Sequence, residues 1–171
     1  MVCSVVADGV VVWSKRRPKR ESKLIATADV SAEEAKDLAS HAAMNERWSD
    51  AVAWCQRALE QAPTSSRLKL DFAYYLEQNG SVTLAKEVMD EIGPSTPDDA
   101  DIQYQGAQMA LAHAWPDEET IAWILRALHS RPSDWEDIAE TDGFDRVRKR
   151  PEIRIALGRA QARARRDDED E

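Results

Sequence analysis

The strongest constraint on the fold of this chain is a near-copy within it. Residues 53–63 read AWCQRALEQAP and residues 122–132 read AWILRALHSRP. They align without gaps and share Ala-Trp, Arg-Ala-Leu and the closing proline at an offset of 69 residues. That offset is two units of about 34, so a further unit is expected between the copies. Shifting the first copy by 34 puts Ala85 opposite Ala51, Met89 opposite Cys55 and Ile92 opposite Ala58. Phe72-Ala73 then falls opposite Leu38-Ala39. One helix pair cannot bury its own apolar face, so such units must stack.

Local signals agree with helix pairs. Ser31-Ala-Glu-Glu34 is a capping box, and Ala35, Leu38, Ala39, Ala42 and Ala43 follow at helical spacing. This predicts a helix from Ser31 to about residues 45–48. Ser49 is read as the cap of a second helix, 50–61, which Pro63 ends. A third is expected over 66–78, broken at Asn79-Gly80, and a fourth over 82–92, stopped by Gly93-Pro94. Thr96-Pro97-Asp98-Asp99 reads as the next start, with a helix to about His113. Trp115-Pro116 turns the chain into a sixth helix, 117–130. Ser133-x-x-Glu136 resembles another capping box for a short helix, Asp142-Gly143 breaks it, and a basic helix follows over 151–166. Only six Gly and seven Pro interrupt a sequence rich in helix formers, so the expected class is all-α.

Charge divides the chain. Residues 14–24 carry six basic groups and one acid, and 145–166 carry nine and two. Residues 25–144 hold 8 basic and 23 acidic groups, and the tail 167–171 is DDEDE. An acidic body suits basic partners and repels nucleic acid, which only the basic arms would attract. VVADGVVVW can form a hairpin about Asp8-Gly9, but an isolated hairpin is marginal. The division expected is a flexible basic arm (1–30), a repeat domain with the start of a cap (31–144), and a basic helix with an acidic tail (145–171).

Cys3 and Cys55 form no CxxC motif and no disulfide framework, which points to a reducing compartment. No apolar run approaches transmembrane length. The N-terminal apolar stretch precedes its basic cluster, the wrong polarity for a secretory signal. A cytoplasmic setting is expected.

The repeat resembles the tetratricopeptide repeat (TPR) pattern of W-x2-L-G-x2-Y, then Ala, an aromatic, Ala and Pro over 34 residues. In 32–65 the matching positions are Leu38, Ala39, Ala42, Ala51, Cys55, Ala58 and Pro63. In 66–99 they are Phe72, Ala73, Leu76, Gly80, Ala85, Met89 and Ile92. In 101–134 they are Ala107, Leu111, Thr120, Ile124, Ala127 and Pro132, with Gln108 where a small residue is usual. The segment 134–157 is similar to the closing segment after the last repeat of many bacterial TPR proteins. Its Asp142-Gly143-Phe144-Asp145-Arg146 through Pro151 carries that likeness. The resemblance implies a TPR-type helical-hairpin solenoid of about three repeats, with Trp135, Ile138 and Phe144 in a C-terminal cap.

The same resemblance implies a peptide-binding groove lined by the first helix of each repeat. The implied positions are Glu33, Lys36, Ser40, Ala43 and Met44, then Arg67, Leu70, Tyr74, Glu77 and Gln78. In the third repeat they are Ile102, Gln105, Met109, Ala112 and His113. Some chaperone-binding members carry a two-carboxylate clamp of Lys and Asn. Here only Lys36 fits it, and Ser40, Asp71, Ile102 and Gly106 stand at the other positions.

Other chemistry finds little support. Cys55, with His41 on the preceding helix, falls at a packing position in an acidic neighbourhood, not the electropositive one that a reactive thiol needs. His41, His113 and His129 have no metal-ligand spacing. Around Gly143 an EF-hand loop would need a ligand where Ile138 stands. Glycines are too scattered for a phosphate loop. The expected function is a non-enzymatic scaffold or adaptor without metal or cofactor, binding a partner protein or peptide segment. The alternatives are a small bacterial secretion-type TPR chaperone and a nucleic-acid-associated protein acting through its basic arms.

Overall fold

A computed structural model describes residues 5–7, 10–12 and 30–169, with side chains from 30 to 166. The expectations for Cys3, Asp8-Gly9, KRRPKR and the end of the acidic tail lie outside the described residues. Within them are one strand pair and eight α-helices. The chain forms two compact units, residues 1–68 and 69–171.

In the first unit, β1 (Val5–Ala7) pairs antiparallel with β2 (Val10–Val12), with Val6 opposite Val11. Helix α1 (Ala32–Met44) begins at the capping box: Glu34 N–H donates to Ser31 Oγ, and Ser31 N–H donates to Glu34 Oε2. The Ser31 N–H and the Ser31 hydroxyl both donate to the Glu34 carboxylate, and these two bonds hold its pKa below the ordinary glutamate range. Helix α2 is Trp48–Gln61. Ala35, Ala39 and Ala42 of α1 and Ala51, Cys55 and Ala58 of α2 are buried. Small side chains on both helices permit close approach. Leu68 completes a cluster with Ala35 and Ala58, against which Val30, Trp54, Leu59 and Ala62 pack. Leu38, expected at a packing position, is 40% exposed. It lies about 60° around the helix from Ala35, at the edge of the buried alanine stripe.

Helix α3 (Ser66–Gln78) carries the chain into the second unit, where α4 (Val82–Ile92) follows. Next come α5 (Ala100–Ala112), α6 (Asp117–Ser130), α7 (Trp135–Glu140) and α8 (Pro151–Glu169). Helices α5 and α6 pack as a pair. Met89, Ile92, Ile102, Ala107, Ile124 and Ala127 are at most 2% exposed. Burying an Ile or Met side chain contributes about 1.5–3 kcal/mol.

Three expected helix starts move. Helix α2 opens at Trp48 with no side-chain cap, so Ser49 lies inside it. Helix α5 opens at Ala100, not near Pro97. Asp99 caps it by accepting from the Ile102 N–H, while the Thr96 hydroxyl donates back to the Ile92 carbonyl. Helix α7 has no side-chain cap, and the Ser133 hydroxyl donates to Asp134 instead.

The C-terminal segment belongs to the packing of the second unit. Ile138, Val147 and Ile153 are fully buried, Phe144 and Ala160 nearly so, and Trp135 is half-buried. Helix α8 packs on α6, α7 and the turn Pro132–Asp134. Arg146 reaches back to Asp117 at 3.3 Å and donates to Thr120 Oγ1 at 3.1 Å.

Candidate protein-interaction surface

The repeat is written most regularly in its turns. After α1, Glu46 N–H donates to Ala43 O and Arg47 N–H to Ala42 O. After α3, Gly80 donates to Glu77 and Ser81 to Leu76; after α5, Ala114 donates to Leu111 and Trp115 to Ala110. Each is a Schellman closure around one left-handed residue. Those residues are Glu46 (φ 55°), Gly80 (φ 76°) and Ala114 (φ 50°), spaced 34 and again 34. Only one is glycine, the residue that takes this conformation without cost.

The first helices also keep a spacing of 34, starting at Ala32, Ser66 and Ala100. The second helices start at Trp48, Val82 and Asp117, so their last spacing is 35. One extra residue sits in the third turn. Arg47 and Ser81 close the turn and also precede the next helix directly, whereas Trp115 is followed by Pro116. Trp115 is 4% exposed, with the Lys86 ammonium 5.0 Å from its ring centre. An alignment anchored on the second helices therefore places the third first helix one residue late.

This slip corrects the groove assignment. Met109 and Ile102, expected to line it, are 1% and 0% exposed and belong to the core. Leu70, also expected there, is 7% exposed. In the observed register Ala39, Ala73 and Ala107 are equivalent and all buried, so the small residue that seemed displaced by Gln108 is present. Tyr104 then stands with Lys36 and Leu70, Gln108 with Ser40 and Tyr74, and Ala112 with Met44 and Gln78. Repeat arithmetic missed Tyr104 and Gln108. The period of the left-handed turns was the signal, and Gly80 alone displayed it in sequence. The shift also puts Asp101 and Gln105 at the third repeat's clamp positions, and neither is a cation.

The expected positions divide between the two units. In the first, Lys36 and Ser40 are half-buried, and Met44 is 77% exposed. Lys36 lies 3.5 Å from Glu33, and Arg67 is exposed. In the second, Tyr74 is 38% exposed, Gln78 is exposed and Gln105 is half-buried. Glu77 and His113 meet: Oε1 and Nε2 are 2.7 Å apart, joining the ends of α3 and α5. The Gln108 amide donates to the Tyr104 hydroxyl at 2.7 Å. Burial, together with Asp137 and Asp134, pushes the Tyr104 pKa upward, so this phenol stays neutral.

Behind this surface lies a buried polar joint. Gln103, fully buried, donates to the Gly93 and Thr96 carbonyls at 3.0 and 2.7 Å. Its own oxygen accepts from Arg126 Nε at 2.7 Å. The Arg126 guanidinium lies 4.3 Å from the Trp123 ring centre. Cys55 in the first unit is 1% exposed, its Sγ 3.5 Å from the Leu68 carbonyl. Among the described residues no three His, Cys, Asp or Glu side chains gather as metal ligands. No described helix is long and apolar enough to cross a membrane.

Paired helices of 34-residue period, each closed by the same left-handed turn, define a helical-hairpin repeat protein. Residues 42–111 match the model of the tetratricopeptide repeat family. No curated protein matches the chain. Repeats of this family generally mediate protein–protein interaction.

Proposed function

We propose that the chain is a non-enzymatic interaction module, a scaffold or adaptor that holds a segment of a partner protein on the first helices of the repeats in its second unit, α3 and α5. The observation that carries this reading is Tyr74. It is an aromatic ring 38% exposed at a register otherwise occupied by polar or small residues, Ser40 and Gln108. Amphipathic aromatic rings are frequent anchors of protein interfaces. The Glu77–His113 pair beside it ties two first helices together at 2.7 Å and supplies a polar edge. The acid excess of residues 25–144 suits a segment carrying Lys or Arg. A cytoplasmic setting accompanies this reading.

The test is affinity capture from the native host, repeated with Tyr74→Ala and with Lys149→Glu. The expected result is a partner lost with Tyr74→Ala, about tenfold or more in affinity, and retained with Lys149→Glu. Retention with Tyr74→Ala and loss with Lys149→Glu would overturn the groove reading.

A further inference from the structure

Helix α8 turns one face inward and leaves the other uncovered. Ile153 and Ala160 are buried, while Arg154, Ile155, Gly158, Arg159, Ala162, Arg163, Arg165 and Arg166 are exposed. At about 100° per residue, Arg154 and Arg165 fall on one side of that face and Arg159, Arg163 and Arg166 on the other. Between the two rows runs Ile155, 55% exposed, with Gly158 and Ala162. A Cβ built at Gly158 meets nothing within 4 Å, so the middle of the face is open.

These arginines differ from the others of the same unit. Arg126 is held by Gln103, Arg131 by Asp101 and Asp134, and Arg146 by Asp117. Among the described residues, Arg154, Arg159, Arg163 and Arg165 have no carboxylate within ion-pair distance. The Arg166 Nε donates only to the Ala162 carbonyl of its own helix, at 3.1 Å. Among the described residues, five guanidinium groups over about 18 Å of helix thus lack a counter-charge.

We propose that this face docks an acidic amphipathic helix of a partner protein. Charge complementarity calls for an anion, since guanidinium groups pair bidentately with carboxylates. The strip between the rows decides which kind. A phosphate backbone gains nothing from an exposed isoleucine, whereas an amphipathic helix covers it with its own apolar stripe. Gly158 and Ala162 let that helix come close enough for its flanking carboxylates to reach both rows.

The test uses the full chain and a labelled 20-residue synthetic helix with Leu and Ala on one stripe and Glu on both flanks, read by fluorescence anisotropy. A scrambled peptide of the same composition, a single-stranded oligonucleotide and phosphatidylserine vesicles are the comparison probes. The amphipathic peptide should bind. Ile155→Asp and the pair Arg159→Glu with Arg163→Glu should each weaken it at least tenfold, with unchanged circular dichroism because these sites are exposed. The milder Ile155→Ser and Arg159→Gln should act in the same direction. The proposal fails if the scrambled peptide binds equally well, or if the oligonucleotide or vesicles bind more tightly and Ile155→Ser changes nothing. It also fails if no probe binds until residues 167–171 are removed, which would make the acidic tail the occupant. Self-association abolished by the Arg159→Glu, Arg163→Glu pair would name a second copy instead.

Discussion

The two near-copies, α2 in the first unit and α6 in the second, share their text but not their surroundings. Trp54 is half-buried and packs on Ala35, Ala58 and Leu68. Trp123 is 3% exposed, and its ring lies where a side chain at Gly93 or Gly106 would begin. A Cβ at Gly106 would stand 2.2 Å from that ring. The arginine three residues on behaves likewise: Arg57 pairs with Glu60 on its own helix at 2.6 Å, whereas Arg126 reaches across to Gln103. The repeated words specify a helix with small residues on its packing stripe. How deeply the large residues sink is decided by what faces them.

The largest difference between the two copies is expected at their tryptophans. Trp123→Ala should cost about 3–5 kcal/mol and Trp54→Ala about 1–2, because only the first ring is fully enclosed. Chemical denaturation followed by circular dichroism measures both, and equal costs would contradict the difference in burial. Gly106→Ala tests the same contact from the other side. It should cost about 1–3 kcal/mol by displacing the ring.

The turns before the two copies give a smaller effect. Glu46 and Ala114 occupy the left-handed region without being glycine. Ala114→Gly and Glu46→Gly should therefore each stabilise by about 0.5–1 kcal/mol, and Gly80→Ala should destabilise by about 1. At Gly80 an added Cβ touches nothing within 4 Å, so that loss isolates the backbone term. A destabilising Ala114→Gly would argue against the turn as described.

The smallest effect distinguishes the first unit by pH. The Glu34 pKa is lowered by its bonds to Ser31, so the folded state favours the carboxylate. The stabilisation is complete above the ordinary glutamate pKa and disappears as pH falls through the lowered value. Amide exchange at the start of α1 should accelerate over that acid range in the wild type. Glu34→Gln should flatten the response, and an unchanged response would remove the carboxylate from the cap.

Much of the fold was legible because its signals are local. Ser31 and Glu34 announced α1, Asn79-Gly80 ended α3, and the alanine spacing exposed the packing stripes. The candidate surface was half legible. Repeat arithmetic put Tyr74 and Gln78 at exposed positions, while in the third repeat it chose Gln105, Met109 and His113 where the observed register has Tyr104, Gln108 and Ala112. An extra residue in a turn leaves no trace when the matching segments lie on both sides of it.

By itself, the sequence determined the helices, their pairing and the period of about 34, because propensity, capping and small-residue spacing act within a few residues of chain. Only the tertiary structure decided the register of the third first helix, the exposure of Leu38 and the burial of Trp123. It also decided which arginines found partners. Those outcomes depend on side chains brought together from distant parts of the chain, and on left-handed turns at Glu46 and Ala114 that residue identity does not announce.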